Sequence, residues 1–262
     1  MMNISLKDKN ALVCGSSDGI GLAAAQVLSG LGANCILFAR NEEKLKTAVA
    51  SLHKVPGQEH RYALADFNKL AEVELAIDQL VADSDIHILI NNSGGPSPGP
   101  LLKASSKNFL EAFHRHLLCN QLLAQAVLPS MKKIGYGRII NIISTSVKTP
   151  LPDLGVSNTI RAAVASWAKT LANELGPFNI TVNNVLPGAT KTNRLLDLIK
   201  DSAQVQEKTS LQIEEEMLKS IPMKRFGTAE EVANVIAFLA TPAASYISGT
   251  NIPVDGGRTP SL

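Results

Sequence analysis

"NALVCGSSDGIGLAAAQVLSGLG", residues 10–32, opens on a short apolar run, breaks at a cluster of glycines and small polar residues, and resumes as a longer apolar stretch. A run of this length bounded by turn residues predicts a strand over 10–15, and the longer segment predicts a helix over 19–32. The same alternation continues along the chain. Strands are predicted at "NCILFA" (34–39), "RYALAD" (61–66), "IHILIN" (86–91), "GRIINII" (137–143), "ITVNNVL" (180–186) and "GTNIPVD" (249–255). Helices are predicted over 42–54, 69–82, 104–133, 158–175 and 229–240. Near-continuous apolar strands belong to parallel sheets buried on both faces. Strands alternating with helices imply right-handed crossovers, and so an α/β, doubly wound parallel sheet of about seven strands with helices on both faces.

The 262 residues are read as a single domain, 1–262, of which 45% are hydrophobic. The formal net charge of +2, spread along the chain, does not make the clustered basic stripe of a nucleic-acid surface. No apolar run reaches the roughly 18 residues of a membrane span. The N-terminus "MMNISLKDKN" lacks the apolar core of a signal peptide, so a cytoplasmic protein is expected. Cys14, Cys35 and Cys119 are widely spaced and odd in number, and Cys14 and Cys35, within predicted strands, are read as buried thiols rather than bridges or metal ligands. "GGPSPGP" (94–100) must be an irregular loop. Residues 189–227 hold helix-forming pieces ("LLDLIKD", "IEEEMLK") and no predicted strand. An insertion this long is usually functional, here read as a helical substrate lid.

In such sheets ligands bind beyond the carboxyl ends of the strands, where strand order reverses. The first strand ends in "CGSSDGIG" (14–21). Gly15, Gly19 and Gly21 permit a tight turn and a close backbone approach to a pyrophosphate. The following helix start offers unpaired N–H groups and a positive dipole end. Ser17 and Ile20 complete the expected turn. At the end of the second strand, Ala39 stands where a carboxylate would bind the ribose 2′-OH of NAD, and Arg40 follows. An arginine there suits the 2′-phosphate of NADP, so NADP is expected over NAD.

These motifs resemble the short-chain dehydrogenase/reductase family, in particular its β-ketoacyl-acyl-carrier-protein reductase-like branch. The family's phosphate turn is "CGSSDGIG", with Cys14 for the usual threonine. Its "NNAG" is residues 91–94 ("NNSG"), its "GRIINI" strand leads to Ser144, its "PG" is Pro187–Gly188, and its "PVDGG" is 253–257. "RFGTAEEVANVIAFLA" and "YISGTNIPVDGG" are typical of that branch. The resemblance implies a Rossmann-like fold, NAD(P)(H), an acyl-thioester or other small-molecule substrate, and a homotetramer or homodimer. It places Asp66 and the Phe67 backbone by the adenine, and Asn92 near the adenosine ribose. It sets Pro187 to Thr192 along the nicotinamide, with Thr192 beside the carboxamide. Residues 95–100 and 193–222 would shape the substrate pocket.

The catalytic positions depart from the family. Ser144 keeps the serine place. Counting onward, Ser157 stands where the family has its tyrosine and Arg161 where it has its lysine, and His116 replaces the helix asparagine. The three tyrosines, at 62, 136 and 246, leave none between 136 and 246. Ser157 and Arg161 are i,i+4 and share a helix face. Arg161 can still donate to ribose hydroxyls, whereas a serine is a far weaker acid than a phenol, whose pKa is about 10. His116 has a side chain whose ordinary pKa suits proton transfer near neutrality, but it would need a water chain to act. Two readings follow. One is an NADP-dependent oxidoreductase of carbonyls or alcohols with water in place of the tyrosine proton. The other is a catalytically impaired nucleotide-binding or assembly protein.

Overall fold

The computed structural model describes residues 2–261. Its centre is a seven-stranded, all-parallel sheet in the order β3-β2-β1-β4-β5-β6-β9. The strands are β1 (Asn10–Cys14), β2 (Asn34–Ala39), β3 (Arg61–Leu64), β4 (Ile88–Asn91), β5 (Gly137–Ile142), β6 (Ile180–Pro187) and β9 (Asn251–Val254). Period-two alternation decides which layer each side chain joins. In β1, Ala11 and Val13 pack with α1 (Gly19–Gly30), α2 (Glu42–Ala50) and α9 (Ala229–Ala240). Leu12 and Cys14 pack on the other face with α3 (Leu70–Asp83), α5 (Cys119–Ile134) and α6 (Gly155–Leu175). The doubly wound sheet of seven strands is therefore as the alternation predicts. Among the described residues no helix is long and apolar enough to cross a membrane. All three cysteines are free and buried, and burial pushes their thiols up, Cys35 to about 12.

A row of asparagines crosses half the sheet. Asn91, Asn141, Asn184 and Asn251 are register partners on β4, β5, β6 and β9. Asn91 donates to Asn141 (2.9 Å), Asn141 to Asn184 (2.9 Å) and Asn184 to Asn251 (2.8 Å). Buried amides are tolerated because each finds a partner in the next strand.

Three readings need correction. The predicted helix 104–133 is three pieces: α4 (Ser106–Phe113), a π-turn over His114–Leu118, and α5. A capping box of Ser105 and Asn108 starts it two residues late. The π-turn widens the backbone without altering the apolar pattern, so periodicity does not reveal it. The 189–227 segment, expected to hold no strand, does contain strand. Two-residue β7 (Thr190–Lys191) and β8 (Gly227–Thr228) pair in parallel and clamp its ends together. Between them α7 (Asn193–Val205) and α8 (Ser210–Lys219) close on their own small core of Leu195, Ile199, Ile213, Ile221 and Phe226. Helix α6 begins at Gly155, three residues ahead of expectation, and so carries Ser157 within its first turn.

Candidate active site

The sheet order reverses between β1 and β4. A cleft of about 440 Å³ opens there, lined by Gly15, Gly19, Ile20, Asn92, Ser144, Ser157, Arg161, Pro187, Gly188 and Thr192 among others. The floor at the phosphate end is backbone. Gly15 and Gly19 have φ of +58° and +56°, the left-handed region that favours glycine. A Cβ on Gly21 would lie 2.2 Å from the Gly15 carbonyl oxygen, and one on Gly15 2.7 Å from that of Asn92. The Asn92 amide locks this turn, donating to the carbonyls of Cys14 (3.3 Å) and Gly15 (3.1 Å). A glycine cradle at a helix N-terminus fits the diphosphate of a dinucleotide. Asp18 caps that helix, accepting from the Gly19 N–H (2.6 Å) and from the Asn193 amide (2.6 Å).

Arg40, Asp66 and Phe67 stand beyond the cleft lining, just past the ends of β2 and β3. Ser17 is half-buried in the turn. Arg40 projects into solvent, its Nη1 3.9 Å from the Asp66 carboxylate. Burial raises the Asp66 carboxyl, but hydrogen bonds from Asn68, with Arg40 and Lys69 nearby, bring it below its ordinary value. Phe67 meets Phe38 edge-on at 5.3 Å. At the opposite end Thr192 caps α7, accepting from the Leu195 N–H, and its methyl stands 3.4 Å from where a Gly19 Cβ would be. Gly188 lets β6 close on β9, since a Cβ there would lie 2.7 Å from the Asp255 Cα.

Ser144 lies two residues past β5 and caps the short 3₁₀ turn Thr145–Val147, its Oγ accepting from the Ser146 N–H (3.1 Å). That leaves the hydroxyl proton for a ligand oxygen. Ser157 and Arg161 both reach the cleft from α6, as their i,i+4 spacing requires. Arg161 is buried, and Nη1 donates to the Ile142 carbonyl (2.6 Å) while Nε has no partner. Burial, then the charges of Arg194 and Arg115, lower its guanidinium to about 10.

His116 stands behind the cleft, not in its lining. It is buried on the π-turn, with Nδ1 2.7 Å from Ser93 Oγ and Nε2 unpartnered. Burial, then Arg161 and Arg115, hold it well below the usual 6.5 and therefore neutral near pH 7. Below pH 6.5 the unfolded chain binds a proton here that the folded protein refuses. Stability tied to His116 is thus complete above 6.5 and declines as pH falls through that value. His116→Asn should flatten the slope of Tm against pH between about 5 and 6.5; an unchanged slope would contradict the buried neutral ring. Ser93, Arg194 and Asp18 are site residues that motif reading overlooks. The signal for Ser93 is its replacement of alanine in "NNSG", the strand end that faces His116.

The glycine cradle at the start of α1, where the strand order reverses, defines the class: a dinucleotide-binding protein on a doubly wound sheet. Over residues 15–259 the chain matches the family described as enoyl-(acyl carrier protein) reductase. It is 34% identical over 261 residues to the 3-oxoacyl-(acyl-carrier-protein) reductase FabG of Aquifex aeolicus, covering 98% of this chain and 99% of that one. It is 32% identical over 259 residues to dehydrogenase/reductase SDR family member 4 of Sus scrofa, covering 98% and 89%. The L-sorbose reductase of Gluconobacter frateurii, solved with NADPH and L-sorbose, superposes with a TM-score of 0.92 at 29% identity, each chain covered in full. The protein belongs to the short-chain dehydrogenase/reductase family, among its FabG-like members, and is an NAD(P)-dependent oxidoreductase. The comparisons favour this over the impaired binding protein.

Proposed function

We propose that the protein is an NADP-preferring oxidoreductase that interconverts a carbonyl and an alcohol, with 3-oxoacyl thioesters as the reference substrate class. It would act in the cytoplasm as a homotetramer or homodimer, as the family resemblance implies. The observation that carries the reading is the convergence of Ser144, Ser157 and Arg161 on the same cleft as the Gly15–Gly19 turn. Gly15, Gly19, Ile20 and Thr192 would hold the dinucleotide, with Asn92 bracing the turn and Arg161 at the nicotinamide ribose. When bound, the nicotinamide supplies or accepts the hydride. Ser144 donates its hydroxyl proton as a hydrogen bond to the substrate oxygen and fixes the carbonyl's orientation. Ser157 cannot act as a strong acid, so water in the space left by the shorter side chain relays a proton from solvent to the substrate oxygen, each water regaining the proton that it passes on. The Arg161 cation beside it favours negative charge developing on that oxygen. The α7–α8 segment, tied at both ends by β7 and β8, serves as the lid that excludes bulk water.

Arg40 supports the NADP preference. It stands at the carboxyl end of β2 with no carboxylate at position 39, and the superposed sorbose reductase was solved with NADPH. NADPH should bind more tightly than NADH in fluorescence titrations, and Arg40→Ala should cut that preference at least about tenfold, because a guanidinium–phosphate bond is charge-assisted. Equal affinities in the unaltered protein would sink the preference.

A further inference from the structure

Two arginines face each other across the cleft without a carboxylate between them. Arg161, 9% exposed, gives Nη1 to the Ile142 carbonyl and leaves Nε unpartnered. Its Nη2 stands 3.7 Å from the point where a Cβ on Gly95 would lie. Arg194, in the first turn of α7, reaches the same point from the other wall. Its Nη2 is 4.0 Å from that point and donates to the Pro96 carbonyl at 2.7 Å. Arg258 is a third cation on the lining. Among the described residues no ion pair includes Arg161 or Arg194. The acid on the lining, Asp18, is already engaged by the Gly19 N–H and Asn193.

A buried cation without a counter-charge is costly, and it stays costly until an anion arrives. Guanidinium forks match carboxylates and phosphates in both charge and geometry. The carbonyls of Ile142 and Pro96 hold the two forks only singly, so each keeps donors in reserve. We propose that Arg161 and Arg194 form an oxyanion subsite for the substrate: a carboxylate or phosphate carried close to the reacting carbonyl, as in oxo and hydroxy acids. Arg161 lies one helical turn from Ser157, so an anion held there sits beside the carbon that Ser144 and Ser157 flank. The proposal rests on the oxidoreductase reading of this cleft and, because a thioester has no anion beside its ketone, puts an oxo or hydroxy acid in place of the thioester as substrate. Arg194 closes the subsite by joining α7 to the 94–100 loop, so binding the anion also draws those two walls together.

The cofactor's own diphosphate offers the same chemistry, and the experiment separates the two sources. Acetoacetate and methyl acetoacetate share one ketone, with and without a charged carboxylate beside it. Each is titrated calorimetrically into the protein alone and into the protein saturated with NADP⁺, which has no hydride to give the ketone. With NADP⁺ bound, acetoacetate should bind at least about tenfold more tightly than the ester, since charge-assisted bonds exceed neutral ones. The ratio should fall to near one in Arg194→Gln and recover in part in Arg194→Lys. Equal binding of acid and ester, or a ratio that survives Arg194→Gln, overturns the proposal. Displacement of acetoacetate by NADP⁺ assigns the pair to the cofactor's phosphates and overturns it too. If NADP⁺ fails to bind at all, the cofactor reading falls, while the acid-to-ester ratio on the protein alone still decides the subsite.

Discussion

Replacing Gly21 with alanine should cost at least about 100-fold in NADPH affinity, some 2.7 kcal/mol of binding free energy. The added Cβ would stand 2.2 Å from the Gly15 carbonyl oxygen and 2.8 Å from the Asn92 amide nitrogen. Neither neighbour can swing away. The first is backbone held in the left-handed region, and the second is the side chain that ties β4 to the turn. The first turn of α1 must therefore back out of the cleft, taking with it the N–H groups a diphosphate would use. A strain of about 2–3 kcal/mol in a chain of this size also lowers Tm by roughly 5–10 °C. Calorimetry would read the second effect and NADPH fluorescence the first. An alanine variant that binds NADPH normally would refute the cradle.

The second large effect is a gain. Ser157→Tyr combined with Arg161→Lys should raise NADPH-dependent reduction of an acetoacetyl thioester at least about tenfold, and a well-placed general acid supplies about 10²–10⁴. The geometry is ready to receive the pair. Position 157 faces the open cleft from the first turn of α6, and position 161 stands one turn on, on the same face. A phenol there gains a proton to give, and an ammonium one turn away lowers its pKa toward the working range. The neutral thioester keeps this test apart from the oxyanion subsite, which Arg161→Lys also alters. No gain, with NADPH binding intact, would mean that the cleft does not admit this substrate class. Ser157→Ala gives the complementary measurement: unchanged turnover assigns the proton to water alone, and a fall assigns the Ser157 hydroxyl a share in relaying it.

Much of this architecture is legible from local signals. β1 and α1 are readable because an apolar run, a glycine break and a second apolar run lie within one short window. Ser157 and Arg161 are readable because i,i+4 spacing carries two side chains to one face whatever the tertiary context. What escapes depends on distance through space. Arg194 matters because it meets Pro96, 98 residues away, and Asp18 because it meets Asn193, 175 residues away. Ser93 matters because the π-turn brings His116 to its hydroxyl. The β7–β8 clamp escapes because two residues carry no periodicity. His116 also acquires its neutral state from burial and two arginines, which its place in the sequence does not disclose.

The row of asparagines sets a condition on how this half of the sheet comes together. Its three hydrogen bonds all run the same way, from Asn91 toward Asn251, and the Asn91 carbonyl at the head is unpartnered. Turning over Asn141 or Asn184 alone would set donor against donor on one side and acceptor against acceptor on the other, and turning over either end residue alone would spoil its one bond, so the four must turn together or not at all. The reversed setting leaves an NH₂ group unpaired at Asn91 in place of an oxygen, the worse of two buried orphans. One direction is therefore preferred, and a strand shifted by a single residue would turn its rung to the opposite layer. The row is a single dipolar chain spanning four strands: it ties them in one alignment, and with them the strand ends that lead to Ser144 and Pro187 on the cleft.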